Sequence, residues 1–210
     1  AHPCDPDSLL GALEAAKLNL IVPVLVGPAA RIRALASGLD QGISNYRLVN
    51  TEHSHASAEA AVSLARSGEV DTLMKGSLHT DEIMAAVLST QGGLRTERRV
   101  SHVFVMDVPA YDRILFVTDA AINIEPSLKE KADIAQNAID LARSLGIETP
   151  KVAILSAVEM VNPDINSTID AAALCKMADR GQIRGAVLDG PLAFDNAISE
   201  IAARTKSIHS

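Results

Sequence analysis

Two stretches of the chain carry residue types suited to holding a small anion. The first is Met74-Lys75-Gly76-Ser77-Leu78-His79-Thr80, where an apolar run gives way to a polar helix start. Ligands in open α/β sheets bind beyond the carboxyl ends of strands, close to helix N-termini. Gly76 would let the backbone approach an anion, and the Lys75 ammonium and the N–H groups of the helix start could hold phosphate. The G-x-x-x-x-G-K-[ST] spacing of a P-loop is absent, and spacing alone fits a surface turn with a capping Ser or Thr better. The second stretch is Gly92-Gly93-Leu94-Arg95-Thr96-Glu97-Arg98-Arg99-Val100-Ser101-His102. Its glycine pair predicts a mobile loop. Arg95, Arg98 and Arg99 bring guanidinium forks that match phosphate oxygens two at a time. A solvated basic loop pairing with nearby acids is the plainer reading. Ser101 and His102 are neighbours on an extended segment, so they point to opposite faces and cannot form a nucleophile–base pair with each other.

Further carboxylates follow apolar runs. Asp119 could hold a cation, orient a base or cap a turn, and the turn reading comes first. Leu188-Asp189-Gly190-Pro191 is a strong turn signal, and Asp189 and Asp195 are also candidate ligand contacts. Glu159 is a site acid or a surface charge. His53 and His55 precede a helix. With no Cys or carboxylate at ligand spacing, they cap or solvate it and do not make a metal site.

Positioning these residues requires an alternation of strands and helices. Apolar runs predict strands over Ile21–Gly27, Arg47–Val49, Asp71–Lys75, Val100–Val108, Ile114–Thr118, Lys151–Ser156 and Ala186–Leu188. Amphipathic spacing and caps predict helices over Asp7–Leu18, Ser54–Arg66, Thr80–Leu88, Lys129–Leu145 and Pro163–Ala178. This order reads as an α/β fold with crossover helices, interrupted by an antiparallel pair near the middle. A polar turn with Pro126 places a domain boundary near 124, giving domains over 1–124 and 125–210.

The chain has 210 residues, of which 48% are apolar and 21% charged, so a globular core is affordable. Aromatics make up only 2% with no Trp, so the core must be aliphatic and the composition argues against a base-stacking platform. A net charge of −7 argues against general nucleic-acid binding but not against a local basic pocket. Cys4 and Cys175 are too few for a disulfide framework, which points to a reducing, cytoplasmic setting. The apolar stretch from Leu18 to Gly27 contains Asn19 and Pro23 and is too short to span a membrane. The opening Ala1-His2-Pro3 reads as the middle of a longer sequence.

Five ordered segments (MKGSLHTDEIMAAVL, GLRTERRVSHVFVMDVP, TDAAINIEPSLKEKADIAQNAIDLA, KVAILSAVE and LDGPLAFDNAIS) resemble the phosphate acetyltransferase/butyryltransferase family. The resemblance is to its butyryl-type branch, including the module fused behind an enoyl-CoA hydratase-like domain. It implies an isocitrate/isopropylmalate dehydrogenase-like fold of two α/β domains with an interdomain cleft, and a homodimer. It also implies the reaction acyl-CoA + phosphate ⇌ acyl phosphate + CoA, with coenzyme A as a substrate and no metal or other cofactor. By motif, Lys75, Gly76, Ser77 and His79 would line the phosphate/acyl end. Arg95, Ser101 and His102 would join them, with Lys75 and Arg95 facing one cleft, and Asp189 and Asp195 would come from the second domain. The family's principal catalytic residues are expected beyond Ser210. Its acetyl-type branch carries substrate-binding arginines around two helices that lack them here, leaving Lys75 and Arg95 as substitutes. Two other readings stay open. One is a β-decarboxylating hydroxyacid dehydrogenase of similar fold, which needs a carboxylate cluster for a divalent metal and a nicotinamide pocket. The other is an inactive CoA- or phosphate-binding or assembly module.

Overall fold

The computed structural model describes residues 1–208. They cluster into two compact units that divide at 96/97, whereas the sequence reading places its boundary at 124/125.

Unit 1 starts with α1 (Pro6–Lys17). Pro at the first helical position has no N–H to leave unpaired, and the Asp5 carboxylate accepts from Ser8 N at 2.8 Å. The helix therefore begins one residue earlier than expected, with Asp5 as its cap. β1 (Val24–Gly27), α2 (Ala29–Gly38) and β2 (Arg47–Asn50) follow, and the two strands pair in parallel with Val24 opposite Arg47. Successive residues of a strand face opposite sides. Leu25 accordingly packs with Leu9, Leu13 and Ile32 from α1 and α2. Its neighbour Val26 packs with Ala61 and Leu64 of α3 (Ser54–Arg66). One short parallel sheet is thus covered by helices on both faces.

No strand forms over 71–75. Instead, residues 74–77 lie beside an extended strip at residues 1–2. Gly76 N donates to Ala1 O (2.8 Å), Ser77 N to His2 O (2.9 Å), and His2 N to Val26 O of β1 (2.6 Å). The strip and the 76–77 segment approach so closely that a Cβ at Gly76 would lie 2.5 Å from Ala1 O and 2.7 Å from His2 O. Gly76 is therefore required by backbone packing, and the space expected for an anion is filled by these carbonyls.

His2 is buried, and its Nδ1 sits 2.9 Å from Ser57 Oγ. Ser57 donates to His53 O at 2.9 Å, and the Thr51 and Ser57 hydroxyls are 2.8 Å apart. This chain of polar groups satisfies its own members inside an otherwise apolar unit. α4 (Thr80–Val87) completes the unit, with Ile83 packed against Ala58 and Leu78.

Unit 2 contains β3 (Phe104–Met106) and β4 (Leu115–Val117), an antiparallel pair with Phe104 opposite Val117, as the turn-like spacing predicts. α5 (Leu128–Ser144) opens on a capping box, in which Ser127 N donates to Glu130 Oε2 at 2.9 Å and Glu130 N returns to Ser127 Oγ at 3.4 Å. β5 (Lys151–Leu155), α6 (Asn166–Asp179) and β6 (Val187–Leu192) form a parallel strand–helix–strand unit. Ile139 of α5, Leu174 of α6 and Ile183 make its core with Val152, Ile154 and Leu188. Two short helices follow, α7 (Phe194–Ile198) and α8 (Glu200–Thr205).

The α/β class stands, but the isocitrate/isopropylmalate dehydrogenase-like architecture does not. Among the described residues the strands form three separate two-stranded sheets, β1-β2, β3-β4 and β5-β6. The physical reason is strand length: runs of three to six residues are interrupted by turns before a continuous sheet can build.

Two measurements test the packing of unit 1. Gly76→Ala should lower unfolding free energy by about 1–3 kcal/mol, because overpacking here meets backbone that cannot step aside; urea denaturation reads the change. For His2, burial and then the Arg31 charge push the imidazole pKa below its ordinary value. The unfolded chain therefore binds more protons than the native one once pH falls below about 6.5. The stability due to neutral His2 should be full above that pH and decline below it, by at most about 1.4 kcal/mol per pH unit. Denaturation of wild type and His2→Gln at matched pH values should show a flatter acid limb in the variant.

Candidate functional site

In unit 1 the lysine and histidine of the first motif are exposed, whereas the residues between them serve the backbone. The Ser77 hydroxyl donates to His2 O at 2.9 Å and accepts from Cys4 N at 3.1 Å, tying 77 to the strip at residues 1–4. Among the described residues, Lys75 Nζ reaches only the Gly76 carbonyl, at 3.2 Å. His79 caps α4, and its N–H donates to Glu82 Oε2 at 2.7 Å. The other Glu82 oxygen accepts from Ser54 Oγ at 2.5 Å and lies 3.0 Å from His55 Nδ1. The Ser54 hydroxyl, then the His79 N–H, holds the Glu82 carboxyl below the usual range. Glu82 thereby joins the starts of α3 and α4 and fixes the backbone under His79. The sequence shows it only as an acid suited to a helix N-terminus, because Ser54 lies 28 positions away.

The glycine pair before Arg95 does not make a mobile loop. Gly93 N donates to Ser89 O at 3.1 Å and Leu94 N to Val87 O at 2.7 Å, while Arg66 Nη1 holds Gln91 O at 3.1 Å. A Cβ at Gly93 would fall 2.5 Å from Ser89 O, so this glycine too is there for close backbone packing. The chain leading into Arg95 is thus pinned to α4 and α3. Arg95 itself is exposed, and among the described residues it has no acidic partner. The other two arginines follow the plainer reading: Arg98 pairs with Asp140 at 2.6 Å and Arg99 with Glu130 at 3.3 Å.

In unit 2 the segment carrying Ser101 and His102 is held by side chains rather than by a strand ladder. Asn137 of α5 donates through Nδ2 to Ser101 Oγ (2.9 Å) and Arg99 O (2.8 Å), and Asp133 accepts from Arg99 N at 3.0 Å. His102 N donates to Asp119 Oδ1 at 3.0 Å, and its ring meets Phe104 edge-on at 4.5 Å between centroids. Its Nδ1 is buried and has no hydrogen-bond partner among the described residues. Ser101 and His102 thus engage different neighbours, as their adjacency on extended backbone requires.

Asp119 takes the turn role that its sequence context favours. It also accepts from the N–H groups of Ala121 (3.3 Å), Ile122 (3.4 Å) and Asn123 (2.8 Å), and from the Asn123 side chain. Burial opposes its charge, but the Asn123 amide and these N–H groups outweigh it and hold the carboxyl below its usual range. Asp189-Gly190-Pro191 forms no turn: it lies within β6, paired with β5, and the Asp189 carboxylate accepts from Gly190 N at 2.8 Å. Asp195 is paired with Lys206 at 3.0 Å, and Lys206 also reaches Glu159 at 2.7 Å. Glu159 in turn accepts from Asn196 Nδ2 at 2.9 Å, so Asp195 and Glu159 belong to one closed ionic network. Lys75, His79 and Arg95 therefore belong to unit 1, and Ser101, His102, Asp189 and Asp195 to unit 2.

Comparison with known proteins follows the same residues. The family model described as phosphate acetyl/butaryl transferase matches residues 54–210. A phosphate acetyltransferase of Rhizobium meliloti is 60% identical over 210 residues, covering 100% of this chain and 66% of the relative. A phosphate butyryltransferase of Clostridium acetobutylicum is 44% identical over 203 residues, covering 96% of this chain and 67% of the relative. The solved structure of a branched-chain phosphotransacylase from Enterococcus faecalis V583 superposes with a TM-score of 0.81 at 28% identity, covering 100% of this chain and 73% of that one. A phosphotransacetylase from Staphylococcus aureus, with a TM-score of 0.73 at 22% identity over 95% of this chain and 69% of that one, shares the fold. These neighbours replace the dehydrogenase-like fold expected from the sequence, and the dehydrogenase alternative has no support among them. This chain spans from 60% to 67% of the length of the curated relatives described as phosphate acetyltransferases and butyryltransferases of Rhizobium, Rickettsia and Clostridium. With the family model covering most of its length, the chain belongs to the phosphate acetyl/butyryl transferase family.

Proposed function

We propose that the full-length protein carrying this chain transfers a short acyl group between coenzyme A and inorganic phosphate. The observation that carries the reading is a pair of exposed cations in unit 1, Lys75 and Arg95, neither of which has an acidic partner among the described residues. In a family member of net charge −7, exposed cations left unneutralised, Lys75 before the start of α4 and Arg95 after its end, are suited to an anionic substrate.

In this reaction a phosphate oxygen attacks the thioester carbonyl, the C–O bond forms, the C–S bond breaks, and coenzyme A leaves as a thiolate that takes up a proton. Lys75 and Arg95 offset the repulsion between phosphate and the electron-rich carbonyl and hold the nucleophile close to it. Gly76 and Ser77 fix the backbone beneath Lys75, and His79 stands at the start of α4 over the Glu82 bridge. By their place in the ordered motifs, Ser101 and His102 are assigned to the same phosphate/acyl end, and Asp189 and Asp195 to substrate binding. The groups that manage the proton are assigned to the residues by which the longer relatives exceed this chain. This chemistry calls for no metal or redox cofactor, since phosphate is itself the nucleophile and the thiolate a stable leaving group. A homodimer in the cytoplasm completes the proposal; Cys4 and Cys175 are unpaired, and no helix of the described residues is long and apolar enough to cross a membrane.

The test is CoA release from acetyl-CoA and butyryl-CoA with phosphate, using protein extended to the length of its relatives. Lys75→Ala and Arg95→Ala should each raise the phosphate KM or lower kcat, with kcat/KM down by about 10- to 150-fold, the value of a lost hydrogen bond to a charged group. An unchanged rate in Lys75→Ala removes that residue from the site, and NADH-coupled turnover without CoA release overturns the reading. Sedimentation of the same protein checks the dimer.

A further inference from the structure

Outside these residues, unit 2 has a cavity of about 640 Å³ between the flank of α5 and the turn that follows α6. Four arginines line it, Arg98, Arg143, Arg180 and Arg184, against two carboxylates, Asp133 and Asp140. Both carboxylates are already engaged. Asp133 takes the N–H of Arg99 at 3.0 Å, and Asp140 takes Arg98 at 2.6 Å and Gln136 Nε2 at 2.9 Å. Burial works against the Asp140 charge, yet Arg98, Gln136 and the nearby Arg143 hold its carboxyl below the usual range, so it stays anionic. The cavity therefore keeps an excess of two positive charges in a protein of net charge −7.

The site is built rather than incidental. Gln136 of α5 donates to Arg184 O at 3.0 Å and accepts from Arg184 N at 2.8 Å, a two-way tie that fixes the turn against the helix. Arg184 Nε donates to Gly181 O at 2.7 Å, which orients its guanidinium. Gly185 has φ +83°, which favours glycine, and the Arg143 side chain lies against it, with Nη1 2.6 Å from where a Cβ would stand. Arginines at helix C-termini commonly serve the terminal carbonyls. Arg143, in the last turn of α5, and Arg180, the C-cap of α6, do not use their guanidinium groups this way: among the described residues neither side chain donates to a helix-end carbonyl or forms a salt bridge, although Asp140 and Asp179 lie near enough to feel their charge.

We propose that this cavity binds a compact anion with two linked phosphoryl groups, free or as part of a nucleotide. Guanidinium forks match phosphoryl oxygens two at a time. Arginines from three separate segments around one concavity suit an anion whose charge is spread over two adjacent centres. The site lies wholly within unit 2 and does not depend on Lys75 or Arg95.

Calorimetric titration of inorganic pyrophosphate into the full-length Lys75→Ala variant tests it, since that background weakens anion binding at the unit 1 cations. Saturable one-to-one binding is expected, with Kd roughly between 10 μM and 1 mM and weakening as salt is raised. Adding Arg180→Ala or Arg184→Ala should each raise Kd about tenfold. Both side chains are exposed at the surface, and an unchanged thermal melt confirms that the fold is kept. Tighter binding of ADP than of pyrophosphate makes a nucleotide the source, and equal binding makes it inorganic. Absence of saturation by about 10 mM pyrophosphate, or a Kd in both arginine variants unchanged from that of the Lys75→Ala protein, overturns the proposal and leaves the acyl-transfer reading untouched.

Discussion

The structure of unit 1 depends on one close backbone contact. Residues 1–2 hydrogen-bond to β1 through His2 N and to the 76–77 segment through their carbonyls, and the fit leaves no room for a side chain at position 76. Everything offered to a ligand in the first motif is placed by that contact. Lys75 is turned to solvent just before it, Ser77 is anchored just after it, and His79 begins the next helix two residues later. Moving the strip would move all three.

Unit 2 solves the same problem by different means. Its 99–102 segment has no strand partner and is positioned instead by carboxylates and amides of α5 and of the 119–123 turn. Side-chain bonds to backbone satisfy buried donors one at a time and tolerate an irregular path, whereas a ladder enforces a regular one. That difference explains why candidate residues on the two units sit in such different surroundings: the unit 1 cations are exposed, and the unit 2 residues are wound into polar networks.

Helices with local signals were legible in the sequence. α3, α4 and α5 carry their caps or terminal residues within a few positions, and their limits agree with the spacing to within about one residue. α2 was not legible, because it has no acidic first turn and no capping side chain of its own; its first N–H is satisfied by Asn50 Oδ1, 21 positions away. The same distance effect hid the roles of Gly76 and Gly93, whose partners are carbonyls brought in by the fold. Of the basic loop, the residue types were legible but not the division of labour, since only the folded chain shows that Arg98 and Arg99 are neutralised and Arg95 is not. The buried His2–Ser57 contact joins residues 55 positions apart and left no pattern to read.

The strip at residues 1–2 also bears on how the chain acquires its shape during synthesis. Its partners at 76–77 are 75 positions downstream, so closing that contact is a long-range event with a large loop entropy to overcome. At about 5–20 residues per second, a ribosome takes roughly 4–15 s to bring the partner into being. Through that interval the Ala1 and His2 carbonyls lack their 76–77 partners and the Val26 face stays uncovered until α3 emerges, so this stretch of the nascent protein is the one longest open to wrong pairing.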